Sequence, residues 1–149
     1  MNKKGFSLLE IMVAVAILTV LVGIAIPNYL TWNARYEFKD AARNLSSNLT
    51  LSKLNAMSRN NPVTLTLQAN GTHTEYVTTG NVIPTETFPT DVTVAGGLPV
   101  AVTFNAFGQR TSGGAGNQII NLDSLSQTST RYIITITASG KVSIAMQNI

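Results

Sequence analysis

The 149-residue sequence has no cysteine, a single histidine and few charges, with 10 Lys and Arg against 7 Asp and Glu making up 11% of the chain. Without thiols there is no disulfide scaffold, thiolate metal centre, cysteine nucleophile or dithiol redox pair. One histidine leaves little material for a zinc site or a Ser-His-Asp hydrolase. An ordinary soluble domain carries roughly 25% charged residues. Here Ser, Thr, Asn and Gln, 49 in all, stand in for the missing charge. The length suits one modest core, or a small domain with an appendage.

The apolar residues are unevenly spread. Phe6 to Ile26 is a 21-residue run holding one charge, Glu10. As a helix it reaches roughly 31 Å at about 1.5 Å per residue, enough to cross a hydrocarbon layer of about 30 Å. Lys3 and Lys4 precede the run and no charge follows until Arg35. That bias predicts a cytoplasmic N-terminus with the rest of the chain on the far side of the membrane. A secretory signal has a shorter apolar region ending in a small-x-small cleavage site. This run passes directly into Pro27-Asn28-Tyr29, so cleavage after it is not expected. By itself, Glu10 reads equally as an acid snorkelling at the membrane surface.

Lys3-Lys4-Gly5 followed by Phe6-Ser7-Leu8-Leu9-Glu10 resembles the class III signal of type IV pilins and type II secretion pseudopilins. In that family a short basic leader ends in Gly and Phe-[Ser/Thr]-Leu-x-Glu opens a long apolar helix. The resemblance implies that a prepilin peptidase cuts between Gly5 and Phe6 and that Phe6 is N-methylated. It also implies that Glu10 pairs with the Phe6 amine of a neighbouring subunit. Glycine before the scissile bond suits a tight cleft, and cleavage ahead of the run keeps it as an anchor. Loss of Lys3 and Lys4 lowers the formal net charge from +3 to +1, so the basic balance belongs partly to the leader.

Pro27 lacks an amide donor, which predicts a kink or local melting over residues 23–27, or else a helix ending at the membrane surface. Asn28 to Arg59 reads as helix, with Trp32, Tyr36, Ala42, Leu45, Leu49 and Ala56 as a narrow apolar stripe. Ser46, Ser47, Asn48, Ser52 and Asn55 fall on the expected polar side. Tyr29, Trp32 and Tyr36 suit either an interfacial aromatic belt or a filament contact. Arg35, Lys39, Arg43, Lys53 and Arg59 outnumber Glu37 and Asp40 on this segment, as expected of a solvated face near lipid headgroups or acidic neighbours. Asn60-Asn61-Pro62 should end the helix.

After Pro62 the period changes from helical to alternating. Val63, Leu65 and Leu67 alternate with polar residues, Asn70-Gly71 predicts a hairpin turn, and Thr72–Thr78 the return strand. About seven short, mainly antiparallel strands are expected in all, including Tyr132, Ile134 and Ile136 on one face and Val142, Ile144 and Met146 across a turn at Ser139-Gly140. Phe104-Asn105-Ala106-Phe107-Gly108 and the closing strands, with the passage from Ala41 to Leu65, resemble the GspH/FimT branch of the family. The expected fold is α+β and pilin-like, with a long N-terminal helix packed on a mainly antiparallel sheet. The expected division is 1–5 leader, 6–27 membrane and assembly part, 28–60 extramembrane helix and 61–149 β-rich domain.

Chemical sites are sparse. Gly108 to Gly116 is glycine-rich but lacks Gly-Lys-[Ser/Thr] and precedes a strand, so a phosphate cradle is not expected. His73 and Glu75 lack a third ligand, and Asp91 and Asp123 lie outside any calcium-loop pattern. No catalytic residue, metal site or cofactor is expected. The resemblance implies a minor pilin-like subunit of a type II secretion pseudopilus or a type IV pilus, held in the bacterial inner membrane with its C-terminal domain periplasmic. Its partners would be other pilin or pseudopilin subunits and the prepilin peptidase. The alternative is a pilus-tip subunit that captures DNA. Residues 61–149 carry only Arg110, Arg131 and Lys141 against four acids, a poor footprint for phosphate neutralisation, so nucleic acid is not an expected partner.

Overall fold

A computed structural model of the protein describes residues 7–149. The chain divides into two compact units, one ending at Ala34 and the other Arg35–Ile149. Helix α1 (Leu8–Ser58) contributes to both. In the first unit every side chain described from Leu8 to Trp32 is exposed. An apolar window there has mean hydropathy 2.7 with none of it buried. A helix apolar on all sides needs an apolar environment on all sides, as a membrane or a helix bundle supplies.

The second unit is α+β. Eight strands form two antiparallel sheets: β1 (Val63–Asn70), β2 (His73–Thr78), β3 (Glu86–Thr87), β4 (Val92–Ala95), β5 (Val100–Phe104), β6 (Gln118–Ser124), β7 (Thr130–Ile136) and β8 (Val142–Asn148). One sheet has the order β3-β2-β1-β5, the other β4-β6-β7-β8. The expectation was about seven strands on one sheet. The unforeseen strand, β3, is two residues long between Pro84 and Pro89, and prolines hide a strand from a sequence pattern.

Alternation puts Leu65 and Leu67 of β1, Val102 and Phe104 of β5, Ile120 and Leu122 of β6, and Ile134 and Ile136 of β7 into one core. From α1 this core receives Phe38, Ala41, Ala42, Leu45, Leu49 and Ala56, the last four wholly or almost wholly buried. The predicted stripe holds from Ala42 onward, but its start is corrected: Trp32 and Tyr36 are exposed and Phe38 is buried instead. Phe38 meets Tyr132 edge-on, ring centroids 4.9 Å apart. Asn48 and Ser52, placed by sequence on the polar side, are also buried. Ser52 tolerates this because its hydroxyl donates to the Asn48 carbonyl at 2.8 Å.

α1 stops where Asn60 takes φ +50°. The Asn61 amide donates to the Ala56 carbonyl at 3.1 Å and that of Asn60 to Met57 at 3.4 Å. This is the Schellman pattern with Asn in the left-handed position that glycine usually takes. The β1–β2 hairpin turns one residue later than predicted. Asn70 stays in the ladder opposite His73, leaving Gly71 and Thr72 as the loop. The physical cause is Glu75, whose carboxylate accepts from Asn70 Nδ2 at 2.8 Å and from Gln68 Nε2 at 2.7 Å.

Candidate assembly site

Gly5 and Phe6, the expected cleavage and methylation positions, lie outside the described residues. Ser7 opens the helix, its carbonyl accepting from the amides of Glu10 at 3.0 Å and Ile11 at 3.3 Å. Glu10 therefore stands in the first turn of α1 with its side chain exposed. An acid in the first turn is favoured by the partial positive charge of unpaired amides there. Further along, the Thr19 hydroxyl donates to the Val15 carbonyl at 2.8 Å, so this polar group needs no outside partner. Pro27 lies inside α1, so the helix does not end there.

The other sequence candidates resolve into structural roles. Arg110, in the glycine-rich segment, is buried, and its Nη2 donates to the carbonyls of Gly114 and Gly116. The loop thus turns carbonyl oxygens towards a cation, the opposite polarity from the amide-lined cradle that phosphate requires. Gly113 makes this packing possible, since a Cβ there would lie 2.9 Å from Arg110 Nη1. His73 is exposed and Glu75 is occupied by the Gln68 and Asn70 amides. Among the described residues no group of three His, Cys, Asp or Glu is placed to hold a metal.

Asp91 closes the turn after β6, accepting from the Ser124 hydroxyl and from the amide and hydroxyl of Ser126, both at 2.8 Å. Burial pushes its carboxyl up, but these hydrogen bonds outweigh burial and leave it below its ordinary value of 3.8. Asp123 on β6 forms a two-point pair with Arg131 on β7, at 2.6 and 2.7 Å. Those guanidinium hydrogen bonds hold its carboxyl below the ordinary value despite some desolvation.

One polar constellation was missed by sequence reasoning. Asn48 on α1 donates to the Tyr76 hydroxyl on β2, which donates to Glu86 on β3. Burial pushes the Tyr76 phenol up, and the adjacent Glu86 adds to this. The available signal was the three-residue step from Leu45 to Asn48, with the inward parity of Tyr76. Beside this relay a cleft of about 250 Å³ is lined by Glu37, Asp40 and Asn44 of α1 and by Glu86–Pro89.

The prokaryotic N-terminal methylation motif matches residues 1–26. Over 52 residues the chain is 42% identical to the type IV major pilin protein PilA of Myxococcus xanthus (strain DK1622), a stretch covering 35% of this chain and 24% of the relative. The chain thus matches about a quarter of that curated relative's length. No solved structure matches. A methylation motif at its start and a stretch of identity to a type IV pilin make the chain similar to type IV pilins, and the long apolar helix with antiparallel sheets is a pilin-like α+β arrangement.

Proposed function

We propose that the chain is a minor pilin-like subunit of a type IV filament machine, of the GspH/FimT type, that works by assembly and not by catalysis. The observation that carries this reading is the methylation motif opening a helix whose described side chains from Leu8 to Trp32 are all exposed. On this reading residues 6–27 anchor the chain in the inner membrane with the N-terminus cytoplasmic and the C-terminal domain periplasmic. Prepilin peptidase cuts between Gly5 and Phe6, methylates Phe6, and the mature subunit enters a pilus or pseudopilus among other pilin subunits. Pro27, with no amide to donate, is the point at which the anchor bends on entry. Two opposite charges brought out of water favour association only where they meet. Pairing of Glu10 with the Phe6 amine of a neighbour therefore selects one axial stagger.

The test has two parts. Intact mass and N-terminal sequence of membrane-extracted chain should show loss of five residues, and Gly5→Val should retain them. Separately, Glu10→Ala and Glu10→Gln should be inserted and cleaved normally yet depleted from sheared filaments. Leaving the partner amine unpaired costs roughly 3–5 kcal/mol. A chain still starting at Met1 in cells with active peptidase refutes the processing. Equal filament-to-membrane ratios for wild type and both Glu10 variants refute the pairing.

A further inference from the structure

Strand β8 ends its sheet, and the phase of its ladder shows what its free edge presents. The Ile149 amide donates to the Ser129 carbonyl and the Thr137 amide to the Lys141 carbonyl, both at 3.0 Å. Between these two points the register pairs Thr130 with Asn148 through to Ile136 with Val142. In an antiparallel ladder bonded and unbonded pairs alternate. The bonded pairs are therefore Arg131 with Gln147, Ile133 with Ala145, and Thr135 with Ser143. Val142, Ile144, Met146 and Asn148 point their amides and carbonyls away from β7, and no backbone bond reaches them among the described residues.

The other sheet edges are short or covered. β3 has two residues and β4 four. β5 is capped by Thr111, whose amide reaches the Thr103 carbonyl at 2.8 Å, and by Gln118, whose Nε2 reaches the Ala101 carbonyl at 3.0 Å. Long edges are normally blunted with charge, proline or a bulge. From Val142 to Ile149 there is neither charge nor proline. Ile144 and Met146 share the face of the buried Ile134 but are 39% and 61% exposed.

The helix flank on this side is cationic. Arg35 Nε donates to Gln127 in the β6–β7 turn at 3.1 Å. Lys53 lies beside the β7–β8 turn, its Cδ 3.5 Å from where a Cβ of Gly140 would be. Helical spacing places Lys39 on the same flank. Neither Lys39 nor Lys53 forms an ion pair among the described residues. The helix acids Glu37 and Asp40 lie on the other flank, in the cleft with Glu86.

We propose that the outer edge of β8 accepts an extended acidic segment of another polypeptide as a fifth strand of this sheet. The main-chain groups of Val142, Ile144, Met146 and Asn148 would hold its backbone. Ile144 and Met146 would cover its apolar side chains, and Lys39 and Lys53 would meet its carboxylates. Strand addition draws affinity from the main chain and selectivity from alternate side chains. This surface lies wholly in Arg35–Ile149 and does not depend on the assembly role of Glu10.

The test uses the full chain in detergent micelles, read by residue-resolved amide exchange, with a peptide of alternating valine and glutamate about eight residues long. In the free chain the amides of Ile144, Met146 and Asn148 should exchange fast and those of Ser143, Ala145 and Gln147 slowly. The peptide should slow the first set. Met146→Pro removes an outward amide and the Met146 side chain but no bond to β7, so it should leave the second set slow and weaken binding about tenfold. Lys39→Glu with Lys53→Glu should weaken it as well. As a check independent of the fold of the proline variant, the peptide N-methylated at alternate residues should not bind.

Five results would each overturn the proposal. The outward amides could stay fast with peptide, or the N-methylated peptide or an alternating valine-lysine peptide could bind as well as the first. They could already be slow in a free chain of dimer mass, which would make a second copy the occupant. Finally, a single-stranded oligonucleotide could displace the peptide and slow the same amides.

Discussion

At the scale of single residues, the polar groups inside the second unit act as ties between elements. The Asn48–Tyr76–Glu86 relay crosses from α1 to β2 to β3, and both Asn48 and Tyr76 are buried. Tyr76→Phe keeps the ring edge-on to Phe88, 5.7 Å away, but strands the Asn48 amide. It should lower unfolding free energy by about 1–3 kcal/mol, the cost of a buried polar group left unpaired, as read by urea denaturation. Asp91 and Asp123 bear on acid stability. Both carboxyls are held below their ordinary value of 3.8 in the folded chain. Their contribution is therefore complete above that value and is lost as pH falls through the lower folded-state value. Thermal midpoints should hold steady from neutral pH down to the ordinary value of 3.8 and drop as pH falls below it. Asp91→Asn combined with Asp123→Asn should shrink the drop, and an undiminished acid transition would assign it to other carboxylates.

Among the elements, α1 and the β7–β8 hairpin show the firmest local requirements. Leu45 is fully buried in the core, so Leu45→Ala should cost about 2–5 kcal/mol, with the spread set by how far the surroundings collapse. Gly140 has φ +74°, and a Cβ there would stand 1.9 Å from the Gly108 carbonyl oxygen. Gly140→Ala must displace backbone on a second loop, so it should destabilise by more than about 2 kcal/mol, whereas Gly71→Ala, with open space around its Cβ, should cost less. Chemical denaturation of the two variants side by side checks this ordering. The alternation of β1 and β7 and the helical stripe from Ala42 to Ala56 were legible because each period maps to one buried face. Trp32, Tyr36, Asn48 and Ser52 broke the pattern for a tertiary reason: burial on α1 begins where the sheets reach it.

For the whole molecule, the division into an apolar helical unit and an α+β unit predicts that residues 28–149, without the apolar run, remain in solution with mixed helix and strand. Circular dichroism showing only helix, or a chain that only precipitates, would contradict it. Sequence alone determined the apolar run, its basic flank and the Phe6–Glu10 signature, because each is a property of the local order of residues. Sequence also determined most strands, because alternation is local. Only tertiary structure decided that the strands divide into two sheets, that Asn48, Tyr76 and Glu86 meet, and that buried Arg110 reaches the Gly114 and Gly116 carbonyls. The open edge of β8 belongs to that second class. Whether a strand's outward amides find a partner depends on which strand lies beside it, and strand neighbours far apart in the chain leave no mark in the pattern of either.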